Sequence, residues 1–148
     1  MTISIIFAST SGHTQFVVDA LKTLWEAKGH TCRLVRAEKS TANDFQDCDL
    51  LVLASGTWNT GGQEGNLNPH MHTLLFEKLT TIDMSQKPVA LISLGDSRYY
   101  FTTRCTEHFM RFLKTANGKP LSPPLIIVNE PYDQEERIAT WGQKIIPV

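Results

Sequence analysis

Four short stretches of this chain are almost continuously apolar rather than apolar on alternate residues: Ile3 to Phe7, Leu50 to Ala54, Pro88 to Leu94 and Leu125 to Val128. A strand with one wet face alternates, whereas a strand covered on both faces does not. Each run is too short for a helix, and β-branched residues recur within them. Such strands belong inside a parallel sheet. Thr31 to Val35 reads as one further strand, and the third begins as Asp49-Leu50-Leu51-Val52-Leu53-Ala54.

Helical patterns lie between the strands. From His13 to Lys28 the apolar positions Phe16, Val17, Ala20, Leu21 and Leu24 recur at helical spacing, and Gly29 supplies a stop. Met71 to Leu79, Thr103 to Ala116 and Gln134 to Ile145 read as further helices, with Phe109, Phe112 and Leu113 sharing a face of the one from Thr103 to Ala116. Ser55 to Pro69 reads as a long Gly/Asn-rich loop. The alternation predicts an α/β fold, a doubly wound five-stranded parallel sheet with helices on both faces. Its 148 residues suffice for one domain, 1–148, with its own core.

Composition removes several functions. The net charge is −1 and no basic patch appears, so a nucleic-acid partner is not expected. Cys32, Cys48 and Cys105 are scattered, odd in number and without ligand spacing, as free thiols in a reducing compartment would be. His70 and His72 have no third ligand nearby in sequence, and no metal site is expected. The N-terminal run lacks a basic leader and is too short to span a bilayer, so a cytoplasmic protein without a membrane partner is expected.

Open parallel sheets bind ligands in loops at the carboxyl ends of their strands. Three such loops are unlike scaffold. Ser9-Thr10-Ser11-Gly12-His13-Thr14 places four hydroxyls and a turn-permitting glycine between a strand and a helix start, a composition suited to wrapping a phosphate. No Lys follows the glycine, and G-x-G-x-x-G is not present, so neither a triphosphate nor a dinucleotide is indicated. Ser55-Gly56-Thr57-Trp58-Asn59-Thr60-Gly61 sets a tryptophan in a small, polar loop, where such a ring packs on a flat ligand or another protein. Leu94-Gly95-Asp96-Ser97-Arg98-Tyr99 follows the fourth strand.

Together these strings resemble the flavodoxin family. The first is similar to its T/S-x-T-G-x-T phosphate loop with Ser11 in a Thr position, the second to T-W-N-x-G, the third to G-D-S-x-Y. The resemblance implies the strand order 2-1-3-4-5 and non-covalent FMN. It implies that Ser9, Ser11 and Thr14 hydroxyls and Thr10, Gly12 and His13 N–H groups hold the phosphate. It further implies that Ser55, Gly56, Thr57, Trp58, Asn59, Thr60 and Gly61 form a flavin loop, with Trp58 stacked on the ring and the Asn59–Thr60 peptide near N5. Leu94, Gly95, Asp96, Tyr99 and Thr103 would border the pyrimidine edge and outer face, Thr103 standing where the family carries Cys.

No nicotinamide site, acid–base pair or activated nucleophile is visible. The resemblance therefore implies a monomeric, low-potential one-electron carrier rather than an enzyme, using the semiquinone/hydroquinone couple between a flavodoxin reductase and acceptor proteins. An FMN-dependent reductase of the same fold, or an activator serving one enzyme, is the alternative. A response-regulator receiver needs acids where Ser9 and Thr10 stand. The segments Ser55 to Pro69 and Leu94 to Cys105 are together formally neutral, with Glu64 and Asp96 against Arg98 and Arg104. That neutrality predicts a reduction potential less negative than acidic surroundings would give, the alternative being that acids from elsewhere, such as Asp133 or Glu135, fold close enough to restore the field.

Overall fold

The computed structural model describes residues 1–60, 63–96 and 104–146, with backbone alone at 59, 60, 63 and 64. Along the chain come β1 (Thr2–Ala8), α1 (His13–Ala27), β2 (Thr31–Arg36), a 3-10 turn (Ala37–Lys39), α2 (Ala42–Gln46), β3 (Leu50–Thr60) and β4 (Gln63–Leu67). Then follow α3 (Pro69–Thr73) with a widened helical turn (Leu74–Lys78), β5 (Pro88–Gly95), α4 (Cys105–Ala116), β6 (Lys119–Pro120), β7 (Leu125–Val128) and α5 (Glu135–Ile145).

The sheet runs β2-β1-β3-β5, and β6 and β7 share the remaining edge of β5. All of these pairs are parallel. Counting the long parallel strands in sequence gives 2-1-3-4-5, as anticipated. The last of them is broken at 121–124, so β6 pairs with Pro88 and Val89 and β7 with Ile92 to Gly95.

Strand parity explains the absence of alternation. Ile3, Ile5, Phe7, Val52, Ala54, Ile92 and Ile127 pack on one face against Val17, Leu21 and Trp25 of α1 and Ile138, Trp141 and Ile145 of α5. Ile6, Ala8, Leu51, Leu53 and Leu91 point the other way, onto Met71 and Leu74, Phe45 of α2, and Phe109, Phe112 and Leu113 of α4. Both parities are buried because both faces carry helices. On the first face α1 and α5 approach closely. A Cβ on Gly142 would fall 2.7 Å from Leu21 Cδ2, and Trp25 Nε1 donates to the Gly142 carbonyl at 2.9 Å.

Three elements differ from the sequence expectation. Ser55 to Pro69 is not a loop: β3 continues to Thr60 and β4 pairs with it antiparallel, Thr57 opposite Leu67 and Trp58 opposite Asn66. Gly, Asn and Ser suggest a loop by propensity, but β-formers Thr57 and Trp58 continue the extended strand. The short α2 begins at a capping box in which Thr41 N–H donates to Asp44 Oδ2 at 2.9 Å. The next helix starts at Pro69 because Asn68 caps it, accepting from His70 N–H at 2.9 Å.

Candidate functional site

After Ala8 the chain curls around its own first hydroxyl. Ser9 Oγ accepts from the N–H groups of Gly12 at 3.2 Å and Gln15 at 3.4 Å. Gly12 makes this curl possible with φ of +92°, a conformation costly for any residue with a Cβ. Gly12, the N-cap residue of α1, has no side chain to cap the helix, and no acid stands in the first turn. Thr10 and Ser11 are exposed there, and Thr14 is buried. A helix start whose N-cap residue offers no acceptor, with exposed hydroxyls beside it, is suited to an anion. Ser9 and the Gly12 N–H build its shape from within.

The β3–β4 hairpin forms the second wall. Trp58 is 37% exposed, among the few large apolar side chains left open to solvent. Buried polar groups fix the base of the hairpin. Ser55 Oγ donates to the Gly56 carbonyl at 2.8 Å and accepts from Asn68 N–H at 3.1 Å. Two residues of α4, one turn apart, hold its two strands. Thr57 Oγ1 donates to Cys105 Sγ at 3.3 Å, and His108 Nε2 lies 2.7 Å from the Gly65 carbonyl. Arg111 Nη2 faces His108 Nδ1 at 3.3 Å, which leaves the ring proton on Nε2 to meet Gly65. No local motif signals these supports, since they join residues far apart in sequence.

The end of β5 supplies the third wall, with Leu94 buried and Gly95 and Asp96 half-buried. Gly61, Tyr99 and Thr103 lie outside the described residues, as do the side chains of Asn59 and Thr60. A fourth wall lies outside the three motif-bearing loops: Val128 at the end of β7, then Asn129, Glu130, Asp133 and Gln134, of which the sequence pointed only to Asp133. Asn129 N–H donates to the Gly95 carbonyl at 2.7 Å, and the Gln134 amide donates to the carbonyls of Val128 and Glu130 at 3.0 and 2.9 Å. The position at the end of a parallel strand was the available signal; the residues themselves form no motif.

These walls enclose an open cleft of about 1170 Å³, bordered by Ser9 to Ser11, His13, Thr14, Gly56 to Trp58 and Leu94 to Asp96 as well as by the segment after β7. Among the described residues, those that bring a formal charge to its lining are Asp96, Glu130 and Asp133. The segment after β7 therefore adds carboxylates to the two segments whose formal charges cancel, as the alternative with Asp133 allowed. Elsewhere, His70 pairs with Glu38 at 3.5 Å, and no cluster of three or more His, Cys, Asp or Glu side chains forms among the described residues. No helix of the described residues is long and apolar enough to cross a membrane.

The flavodoxin family model matches residues 5–141. The chain belongs to the flavodoxin family. It is 28% identical over 144 residues to Probable flavodoxin 2 of Bacillus subtilis, covering 96% of this chain and 92% of that one. Flavodoxin 2 from Bacillus cereus in its oxidised crystal structure superposes with a TM-score of 0.86 at 25% identity, over 97% and 96% of the two chains. Oxidised flavodoxin 1 from Bacillus cereus gives 0.86 at 19% identity, over 98% and 97%, a likeness of fold.

Members of the flavodoxin family are flavin-binding electron carriers, and FMN is the cofactor of this chain. The cleft fits that group: it joins a helix start with a glycine at its N-cap, suited to phosphate, to an exposed indole suited to a flat ring.

Proposed function

We propose that this flavodoxin-family protein is a monomeric, low-potential one-electron carrier that docks in turn with a reductase and with acceptor proteins. The convergence of the phosphate-type loop, Trp58 and the Gly95–Asp96 turn on one cleft carries this reading. When bound, FMN supplies single-electron chemistry. The N–H groups of Thr10 and His13 and the hydroxyls of Ser11 and Thr14 would hold its phosphate, with Ser9 and Gly12 shaping the loop. Trp58 would cover one ring face. Asp96 and the backbone of Leu94 and Gly95 would border the pyrimidine edge, and the Asn59–Thr60 peptide would lie near N5. Tyr99 is assigned to the opposite face by its motif.

The protein's part is to orient the ring, exclude water from one face and set the field around it. Its open cleft favours exchange of electrons with docked partners over enclosure of a substrate. The test is the purified holoprotein mixed with NADPH or NADH. Reduction only after addition of a flavodoxin reductase supports the carrier; steady nicotinamide oxidation by the protein alone would make it a reductase.

A further inference from the structure

Arg36 ends β2, in parallel register with Phe7 of β1. Its side chain crosses the end of β1 to the back of the Ser9–Thr14 loop. Nη1 donates to the Ser9 carbonyl at 3.1 Å and Nη2 to Gln15 Oε1 at 3.1 Å. The guanidinium also stands 5.2 Å from the centre of the Phe7 ring. One planar fork therefore spans the loop from its first residue to the residue after its last. No carboxylate among the described residues pairs with Arg36, while the Gln15 amide passes on to Asp19 at 3.0 Å.

Two consequences follow from elementary chemistry. A trans peptide directs its C=O and N–H in opposite senses, so a Ser9 carbonyl held back on Arg36 turns the Thr10 N–H away from the guanidinium. That orientation frees the N–H for an anion in the loop. Among the described residues the cleft lining, moreover, contains no lysine or arginine, and its carboxylates oppose a phosphate. A guanidinium without a carboxylate partner, one hydrogen bond behind the loop, offsets that repulsion through a short, partly buried path.

We infer that Arg36 is the residue that makes this site specific for a phosphorylated flavin, a positioning residue that orients the loop and supplies positive charge from behind it. The inference rests on the proposed reading of Ser9 to Thr14 as the phosphate loop. Phosphate specificity then depends on a residue of the second strand, outside the three motif-bearing segments.

The experiment is fluorescence titration of the apoprotein with FMN and with riboflavin, for the unchanged chain, Arg36→Gln and Arg36→Lys. The unchanged chain should prefer FMN strongly, and Arg36→Gln should reduce that preference about tenfold or more. Riboflavin affinity should stay the same, because nothing touching the ring has changed. Arg36→Lys keeps the charge but not the two-point hold, so it should lie between them. An unaltered preference in Arg36→Gln overturns the inference, and so does an equal weakening of both flavins when both still bind measurably, the mark of a merely structural arginine. Should Arg36→Gln bind neither flavin, Arg36→Lys decides: a preference reduced about threefold or more supports the inference, and an unchanged one overturns it. If the unchanged chain itself does not distinguish FMN from riboflavin, the loop reading fails and this inference with it.

Discussion

Cys105 Sγ lies 2.7 Å from Ser93 Oγ, joining the first residue of α4 to the last turnward stretch of β5 inside the core. The same sulfur accepts from Thr57 Oγ1 at 3.3 Å and donates to the Ser55 carbonyl at 3.4 Å. A thiol with no exposure thus ties β3, β5 and α4 together directly beneath the Trp58 hairpin. Such a network rewards satisfaction and penalises a missing member.

Cys105→Ala removes the sulfur that these groups share and leaves a small cavity. The loss should be about 1–3 kcal/mol in urea unfolding of the apoprotein. Cys105→Ser retains a donor and an acceptor and should lose less. Equal losses for the two variants would mean that packing, not hydrogen bonding, gives Cys105 its value.

Burial also pushes the thiols up: Cys105 and Cys48 above their ordinary pKa, and Cys32 to about 11 from 9.0. A raised acid pKa favours the protonated form in the folded state, while the unfolded thiol ionises near its ordinary value. The unfolded state then binds fewer protons, so stability contributed by Cys32 is full below pH 9 and declines towards pH 11. Urea midpoints measured from pH 8 to 10.5 should fall, and less steeply in Cys32→Ala. The native chain should also react slowly with a disulfide reagent at pH 8 and rapidly once unfolded.

The fold was legible because burial on both faces leaves a mark within each strand: Leu51 and Val52 serve opposite layers, and both must be apolar. The loop after β1 was legible because its hydroxyls and glycine are contiguous. What the sequence hid was whatever depends on distant partners. Thr57 pairing with Leu67 turned an expected loop into a hairpin, and Asn129 bonding to Gly95 brought an unmarked segment onto the cleft. Arg36 reads as an ordinary strand residue until β1 and β2 are laid side by side.

Trp58 has a definite expected weight. Its side chain is held at the cleft by a hairpin whose base is buried, so Trp58→Ala should remove ring contact without disturbing the sheet. FMN and riboflavin should both weaken, by about 0.5–1.5 kcal/mol beyond the lost buried area. This shared loss is the opposite signature to that of Arg36→Gln. Unchanged titrations for both flavins would remove Trp58 from the site.

The carboxylates after β7 set the last expectation. Two sequence segments alone suggested a neutral surrounding, but Glu130 and Asp133 line the same cleft as Asp96. Negative charge disfavours adding an electron to a flavin that becomes anionic, so these residues should lower the potential. A unit charge about 10 Å away contributes roughly 0.5–1.5 kcal/mol at intermediate dielectric, or about 20–65 mV for a one-electron couple. Glu130→Gln and Asp133→Asn should therefore each raise the potential of the second electron by about that amount, with the effect shrinking as salt screens the open cleft. Removing both should approach the sum, because each acts through the field rather than through contact. Potentiometry of the two single variants and the double variant checks this. A potential that does not move in either would mean that Glu130 and Asp133 are screened by solvent, and that the first, neutral estimate describes the flavin's surroundings better.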